Sequence, residues 1–168
     1  VGLVLLGGEG SPWTEIPPRS SSGHLAQLVG ALAAVQPAGA ADLSRSLERV
    51  GERVPRRGVV VLISDLMEEP SEWGPSLAAM SRRGTDLRVI HLYDKAEWAM
   101  DLGGPTQLYS PEGGQDISVD PNVAKATFAE VIEEYLVEVQ EWLSRHGAHY
   151  VCMASDTPLD EGLASVLR

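Results

Sequence analysis

Aliphatic residues occur along this chain in two arrangements, and the difference between them predicts most of the secondary structure. The first is the unbroken run, bracketed by turn formers. Arg57-Gly58-Val59-Val60-Val61-Leu62-Ile63-Ser64-Asp65-Leu66 is the clearest case. A mostly β-branched run without polar alternation reads as a strand buried on both faces, as in parallel sheets. Val1–Leu6, which ends in Gly7-Gly8, Leu87–Tyr93 and His149–Ala154 read the same way. The second arrangement is helical spacing. Leu25, Leu28, Val29, Leu32 and Val35 form one stripe, closed by Pro37–Gly39. Leu43, Leu47, Val50 and Val54 form another from about Asp42, and Trp73, Leu77 and Met80 a third from Pro70, with Gly84 as terminator. The longest helix opens on Asp120-Pro121, an N-cap followed by proline at the first helical position. Its stripe is Phe128, Val131, Ile132, Tyr135, Val139, Trp142 and Leu143, its glutamates fall largely off that stripe, and Gly147 closes it. Asp156-Thr157-Pro158 opens a last helix through Leu167.

Two stretches are less regular. Residues 9–19 are turn-rich, with a short edge strand expected around Trp13–Ile16. Within 94–120, Thr106–Tyr109 and Gln115–Val119 flank Pro111-Glu112-Gly113-Gly114 and read as a β-hairpin insertion. Strands alternating with helices imply right-handed crossovers, hence an α/β fold with a doubly wound, mainly parallel sheet covered on both faces. Residues 1–168 read as one domain. Asp65, Asp94 and Asp156 each follow a strand, so they are expected at the carboxyl edge of the sheet, where ligand sites of open α/β sheets are built.

Charge narrows the partners. Thirteen basic against 24 acidic residues leave a net charge of −11. Nucleic-acid binding depends on Lys and Arg replacing phosphate counterions, so that class is disfavoured, as is an anionic membrane surface. No window reaches the roughly 18 apolar residues of a membrane span, and no basic segment followed by an apolar one marks a secretory signal. A cytoplasmic location is the expectation. Cys152 has no second cysteine to pair with and lies in an apolar strand, so it reads as a buried, inert thiol. The chain opens directly on a core-type strand, and it is expected to be truncated at its N-terminus.

Few motifs survive as chemistry. Gly7-Gly8-Glu9-Gly10-Ser11-Pro12 matches neither phosphate-loop pattern, and Glu9 would repel phosphate. No G-x-S-x-G elbow is present, no Cys/His group has zinc spacing, and Gly147 separates His146 from His149. Asp42 and Asp156 are placed to cap helices, and Asp94 to serve a turn. Ser64 and Asp65 remain as the candidates for a site or its remnant.

Several segments together resemble a bacterial family of von Willebrand factor A-like domains, family fifty-eight of the domains of unknown function, often encoded beside MoxR-type AAA ATPases. The similar segments are Val1-Gly2-Leu3-Val4-Leu5-Leu6, Pro17-Pro18-Arg19 leading into Gly23-His24-Leu25, and Leu62-Ile63-Ser64-Asp65-Leu66. The hairpin closing on Val119-Asp120-Pro121 and the tail Asp156-Thr157-Pro158-Leu159-Asp160 complete them. The resemblance implies a metal-ion-dependent adhesion site built from an Asp-x-Ser-x-Ser loop, a threonine and a later aspartate. Asp65 matches the later aspartate, with Ser64 beside it. The threonine position falls at Ala41, and the serine loop would lie upstream of Val1. Mg²⁺ demands near-octahedral oxygen coordination, so the site is expected to be degenerate, with no cofactor unless that upstream loop exists. The resemblance also implies a central strand between Val1–Leu6 and Val59–Ile63 that the chain does not supply. Either those two strands pair directly, or a partner supplies a strand, or the chain is one piece of a longer protein, which is the expected outcome.

The reading is therefore a non-catalytic protein-interaction module whose interaction edge carries Asp42, Asp65 and Asp94, with a MoxR-type AAA ATPase as partner. The competing class is a metal-assisted phosphoryl-transfer or hydrolytic enzyme using Asp65, Asp94 and Asp156 together. Against it, no nucleophile–base pair and no Asp-x-Asp pair is visible.

Overall fold

A computed structural model describes residues 1–6, 13–36, 41–100, 104–108 and 117–166. The Gly7–Pro12 segment, the Pro37–Gly39 stop and the hairpin turn at 109–116 lie outside them. Strand β1 (Leu3–Leu5) pairs antiparallel with β2 (Thr14–Ile16), and helices α1 (His24–Ala34) and α2 (Leu43–Arg53) follow. Then come β3 (Val59–Ser64), α3 (Pro70–Arg82), β4 (Asp86–Tyr93) and the short α4 (Lys95–Trp98). The hairpin β5 (Thr106–Leu108) and β6 (Ile117–Val119), α5 (Pro121–Arg145), β7 (His149–Ala154) and α6 (Leu159–Val166) complete the order.

The three strands β3, β4 and β7 form a parallel sheet in that order, with Val59 opposite Asp86 and Arg88 opposite His149. Because registered partners share a face, Val60, Leu62, Leu87, Val89 and Tyr150 lie on one side. There they join a cluster with Leu43, Leu47, Trp73, Leu77, Val139 and Leu143 from α2, α3 and α5. The opposite face is covered by α6, whose Val166 is buried and whose backbone meets the Arg88 side chain. Helices on both faces of a parallel sheet make the fold the expected α/β type.

Local signals set the helix ends. The Asp42 carboxylate accepts the Arg45 N–H at 2.7 Å, and Pro70 and Pro121 open α3 and α5. Gly84 and Gly147 end α3 and α5 with φ of 84° and 70°, the left-handed region glycine enters freely. Gly74 has a different reason. A Cβ there would overlap the Trp142 ring, which meets Trp73 edge-on at 5.4 Å.

Three expectations need correction. First, β3 is not buried on both faces: Val59, Val61 and Ile63 are 62%, 47% and 59% exposed. Among the described residues it is an edge strand paired only to β4, and the main contacts of α6 on that face are to β7 and β4. Second, α1 does not bury its stripe. His24 and Leu28 are buried, whereas Leu25, Val29 and Leu32 stand out in solvent. Third, Val1–Leu6 is no part of the parallel sheet, since among the described residues β1 pairs with β2 alone. Direct pairing of β1 with β3 is thus not what the fold adopts.

Candidate functional site

The carboxyl end of β3 runs into a tightly held loop, Ser64 to Glu69. Ser64 Oγ accepts the Leu66 N–H at 3.1 Å, turning the chain two residues beyond the strand. Leu66 takes a positive φ of 49°, uncommon for a side chain of its size, and is fully buried. Long-range contacts hold it there. The Tyr135 hydroxyl of α5 lies against the Leu66 carbonyl and 3.1 Å from the Glu68 carbonyl. Trp73 Nε1 donates to that same Glu68 carbonyl at 2.8 Å. The Glu68 carboxylate in turn accepts the Leu43 N–H at 2.7 Å, adding to Asp42 at the start of α2. With Leu66 and Glu68 turned inward, Asp65, Met67 and Glu69 are exposed, and Met67 is 81% exposed.

Beneath the loop lies His91, a polar residue at a core position of β4 and only 1% exposed. Its Nδ1 is 2.9 Å from the Tyr150 hydroxyl, and the Trp98 and Tyr135 rings meet it edge-on. Burial pushes its pKa below the ordinary value, against an opposing backbone hydrogen bond at Asp65 and the Asp65 charge. A neutral ring accepting from Tyr150 at Nδ1 satisfies this arrangement. Burial, aided by the charges of Glu69, Asp65, Glu138 and Glu68, pushes the Tyr135 hydroxyl up to about 12, so it stays a proton donor at neutral pH. Tyr150 is likewise raised, chiefly by burial. Burial also raises the half-buried Cys152 thiol, which favours its protonated, unreactive form.

The expected edge residues are dispersed among separate tasks. Asp42 caps α2. Asp94 caps α4, its Oδ1 2.7 Å from the Ala96 N–H. Asp156 pairs with Lys95, 2.9 Å away, and this contact raises the lysine's pKa. Asp65 alone stays with Ser64 on the loop.

The donor set for a cation is correspondingly poor. Ala41 brings no side-chain oxygen, Ser64 Oγ already accepts an amide, and Asp42 is occupied by its helix. Among the described residues no three His, Cys, Asp or Glu side chains group around one point. One carboxylate with one hydroxyl does not fit the oxygen shell Mg²⁺ requires.

Sequence reasoning missed Tyr135, His91, Trp73 and Glu68 as parts of this edge. Tyr135 and Trp73 read only as stripe residues. The histidine inside the aliphatic strand Leu87–Tyr93 was the available signal, because a buried polar ring must find partners.

A family model described as a protein of unknown function, DUF58, matches residues 1–135. The chain belongs to the DUF58 family. The matched stretch runs from β1 through the 64–69 loop to Tyr135, and so includes the hydroxyl that holds this loop. No curated protein and no solved structure matches the DUF58 chain.

Proposed function

We propose that this DUF58 chain is a non-catalytic protein-interaction module that uses a degenerate metal-ion-dependent adhesion site at its carboxyl edge to dock a MoxR-type AAA ATPase in the cytoplasm. The observation that carries the reading is Met67: a large apolar side chain, 81% exposed, on a loop whose backbone is held from α3 and α5. Met is enriched in interfaces, and a loop already locked in place loses little entropy on binding. Asp65 and Glu69 on either side would select a socket with basic rims. No helix among the described residues is long and apolar enough to cross a membrane.

The test is titration of the purified chain with a MoxR-type ATPase of the same organism, followed by calorimetry. Saturable binding is expected, weakened about tenfold or more, or about 1.4 kcal/mol, by Met67→Asp. No binding, or equal binding of the variant, overturns the proposal. Titration with Mg²⁺ or Mn²⁺ alone should give no saturable heat at millimolar metal, whereas tight stoichiometric uptake would restore a working metal site.

A further inference from the structure

Helices α2 and α3 run side by side in the same direction. Ser76 Oγ lies 3.5 Å from the Ser44 carbonyl, and seven residues further along both helices the Arg83 guanidinium donates to the Gly51 carbonyl. Between them is an open groove of about 290 Å³. Leu47 and Met80, each 2% exposed, form its floor. Pro75 and Ala79 line the α3 wall, and Glu48 and Glu52 the α2 wall.

Three choices here work against the stability of the chain itself. Pro75 sits inside α3, where proline removes an intrahelical hydrogen bond, yet it is exposed and gains little burial in return. Glu48 and Glu52 are both exposed and one turn apart, a spacing at which like charges repel. Glu52 also stands in the last turn of α2, where the helix dipole disfavours an anion. The nearby cations are engaged elsewhere. Arg49 stacks over the Trp13 ring, and Arg53 pairs with Glu15 at 3.0 Å while Glu52 is 3.9 Å away. Arg83 is committed to the Gly51 carbonyl, and among the described residues no ion pair reaches Glu48.

Departures from local rules without a gain in folding are expected where function sits. One kind of ligand answers both sides of the groove: a cation to offset the two carboxylates, on an aliphatic stem that covers Pro75 and Ala79. Lysine has that shape. Its compact ammonium suits two carboxylates one turn apart, whereas a planar guanidinium favours a single carboxylate held edge-on. We propose that the α2–α3 groove docks a lysine side chain presented by a protein partner, its stem on Pro75 and Ala79 and its ammonium between Glu48 and Glu52. A second copy of this chain is a poor source, since its lysines are Lys95 and Lys125 and the first already pairs with Asp156. The groove opens toward the C-terminal ends of α2 and α3, whereas the Met67 loop adjoins their starts. Its failure would leave the reading of that loop standing.

The probe is the peptide acetyl-Ala-Ala-Lys-Ala-Ala-amide, compared with versions carrying norleucine or Nζ-acetyl-lysine at the centre. Binding is read from amide chemical shifts of the isotope-labelled full chain. The lysine peptide should give saturable shifts at Gly51, Glu52 and Ala79 at millimolar concentration, with binding about fivefold or more weaker for the two neutral peptides. The double variant Glu48→Gln, Glu52→Gln should weaken binding about fivefold or more and melt no lower than the wild type. Ala79→Leu fills the groove while keeping both carboxylates, and should weaken binding as much. The inference is overturned if no shifts appear, if the neutral peptides bind equally, or if Ala79→Leu binds like the wild type, which would reduce the effect to charge alone. A lower melting temperature of the double variant would also overturn it, because the carboxylates would then serve folding. So would putrescine binding tenfold tighter than the peptide, which assigns the groove to a free diamine, or concentration-dependent shifts of the chain alone, which assign it to a second copy.

Discussion

Strands β3 and β4 lie side by side in one register, yet their burial is the reverse of their composition. β4 contains Arg88 and His91 and is largely buried, its Leu87 and Val89 each 1% exposed. β3 is aliphatic from Val59 to Ile63 and shows alternate side chains to solvent. The difference lies in what each strand has beside it. β4 is paired on both edges and covered by α3 and α5 on one face and α6 on the other, and its Arg88 and His91 find partners in Asp86 of the same strand and in Tyr150. Among the described residues β3 has one paired edge and one covered face. An aliphatic run records that a strand is suited to burial. It does not record that the same chain supplies the cover.

The contrast sets the expected cost of substitutions. Trp73→Ala, on the closed side, removes a fully buried ring that also donates to Glu68, and should cost about 3–5 kcal/mol in denaturant unfolding. Val61→Ala, on the open side, should change stability by no more than about 0.5 kcal/mol. Comparable losses would mean that the exposed face of β3 is covered after all. Gly74→Ala should cost about 1–3 kcal/mol by overpacking against Trp142, and the near-UV signal of that tryptophan pair should change with it.

A smaller effect concerns His91. Its folded pKa lies below the unfolded value of about 6.5, so the unfolded chain takes up the proton first as pH falls. The contribution is complete above about pH 6.5 and is lost progressively as pH drops toward the folded value. Stability profiles of the wild type and His91→Gln should therefore diverge in slope below about pH 6.5, with the wild type the steeper. Parallel profiles would show that the ring is not held neutral. An effect as small as that of Val61→Ala is expected for Asp65→Ala. Its carboxylate is exposed beside other acids, and stability should shift by no more than about 0.5 kcal/mol in either direction at neutral pH. A loss above roughly 2 kcal/mol would place Asp65 in a hydrogen-bonded structural role.

What could be read from the sequence divides along the same line. Features determined within a few residues were legible: the Asp42 cap, the openings at Pro70 and Pro121, the stops at Gly84 and Gly147, the inward Trp73, Leu77 and Met80, and the β5–β6 hairpin. Ser64 and Asp65 were correctly placed at the carboxyl edge. What escaped depends on contacts across the chain. The Tyr135 hydroxyl reaches back 67 residues to the Glu68 carbonyl, and Lys95 takes the Asp156 carboxylate from 61 residues away. The exposed stripe of α1 and the bare face of β3 escaped for a further reason. Periodicity shows where an apolar face lies, but not whether anything packs on it.

The central claim, that β3 is an open edge in this chain, is tested most directly by residue-resolved amide hydrogen exchange of the protein alone at low concentration. The account predicts alternating protection along one strand. Val60, Leu62 and Ser64, whose N–H groups face β4, should exchange slowly, while Val59, Val61 and Ile63 should exchange near the rate of unstructured chain. Uniform slow exchange from Val59 to Ser64 would contradict it, because the outer edge would then already be paired.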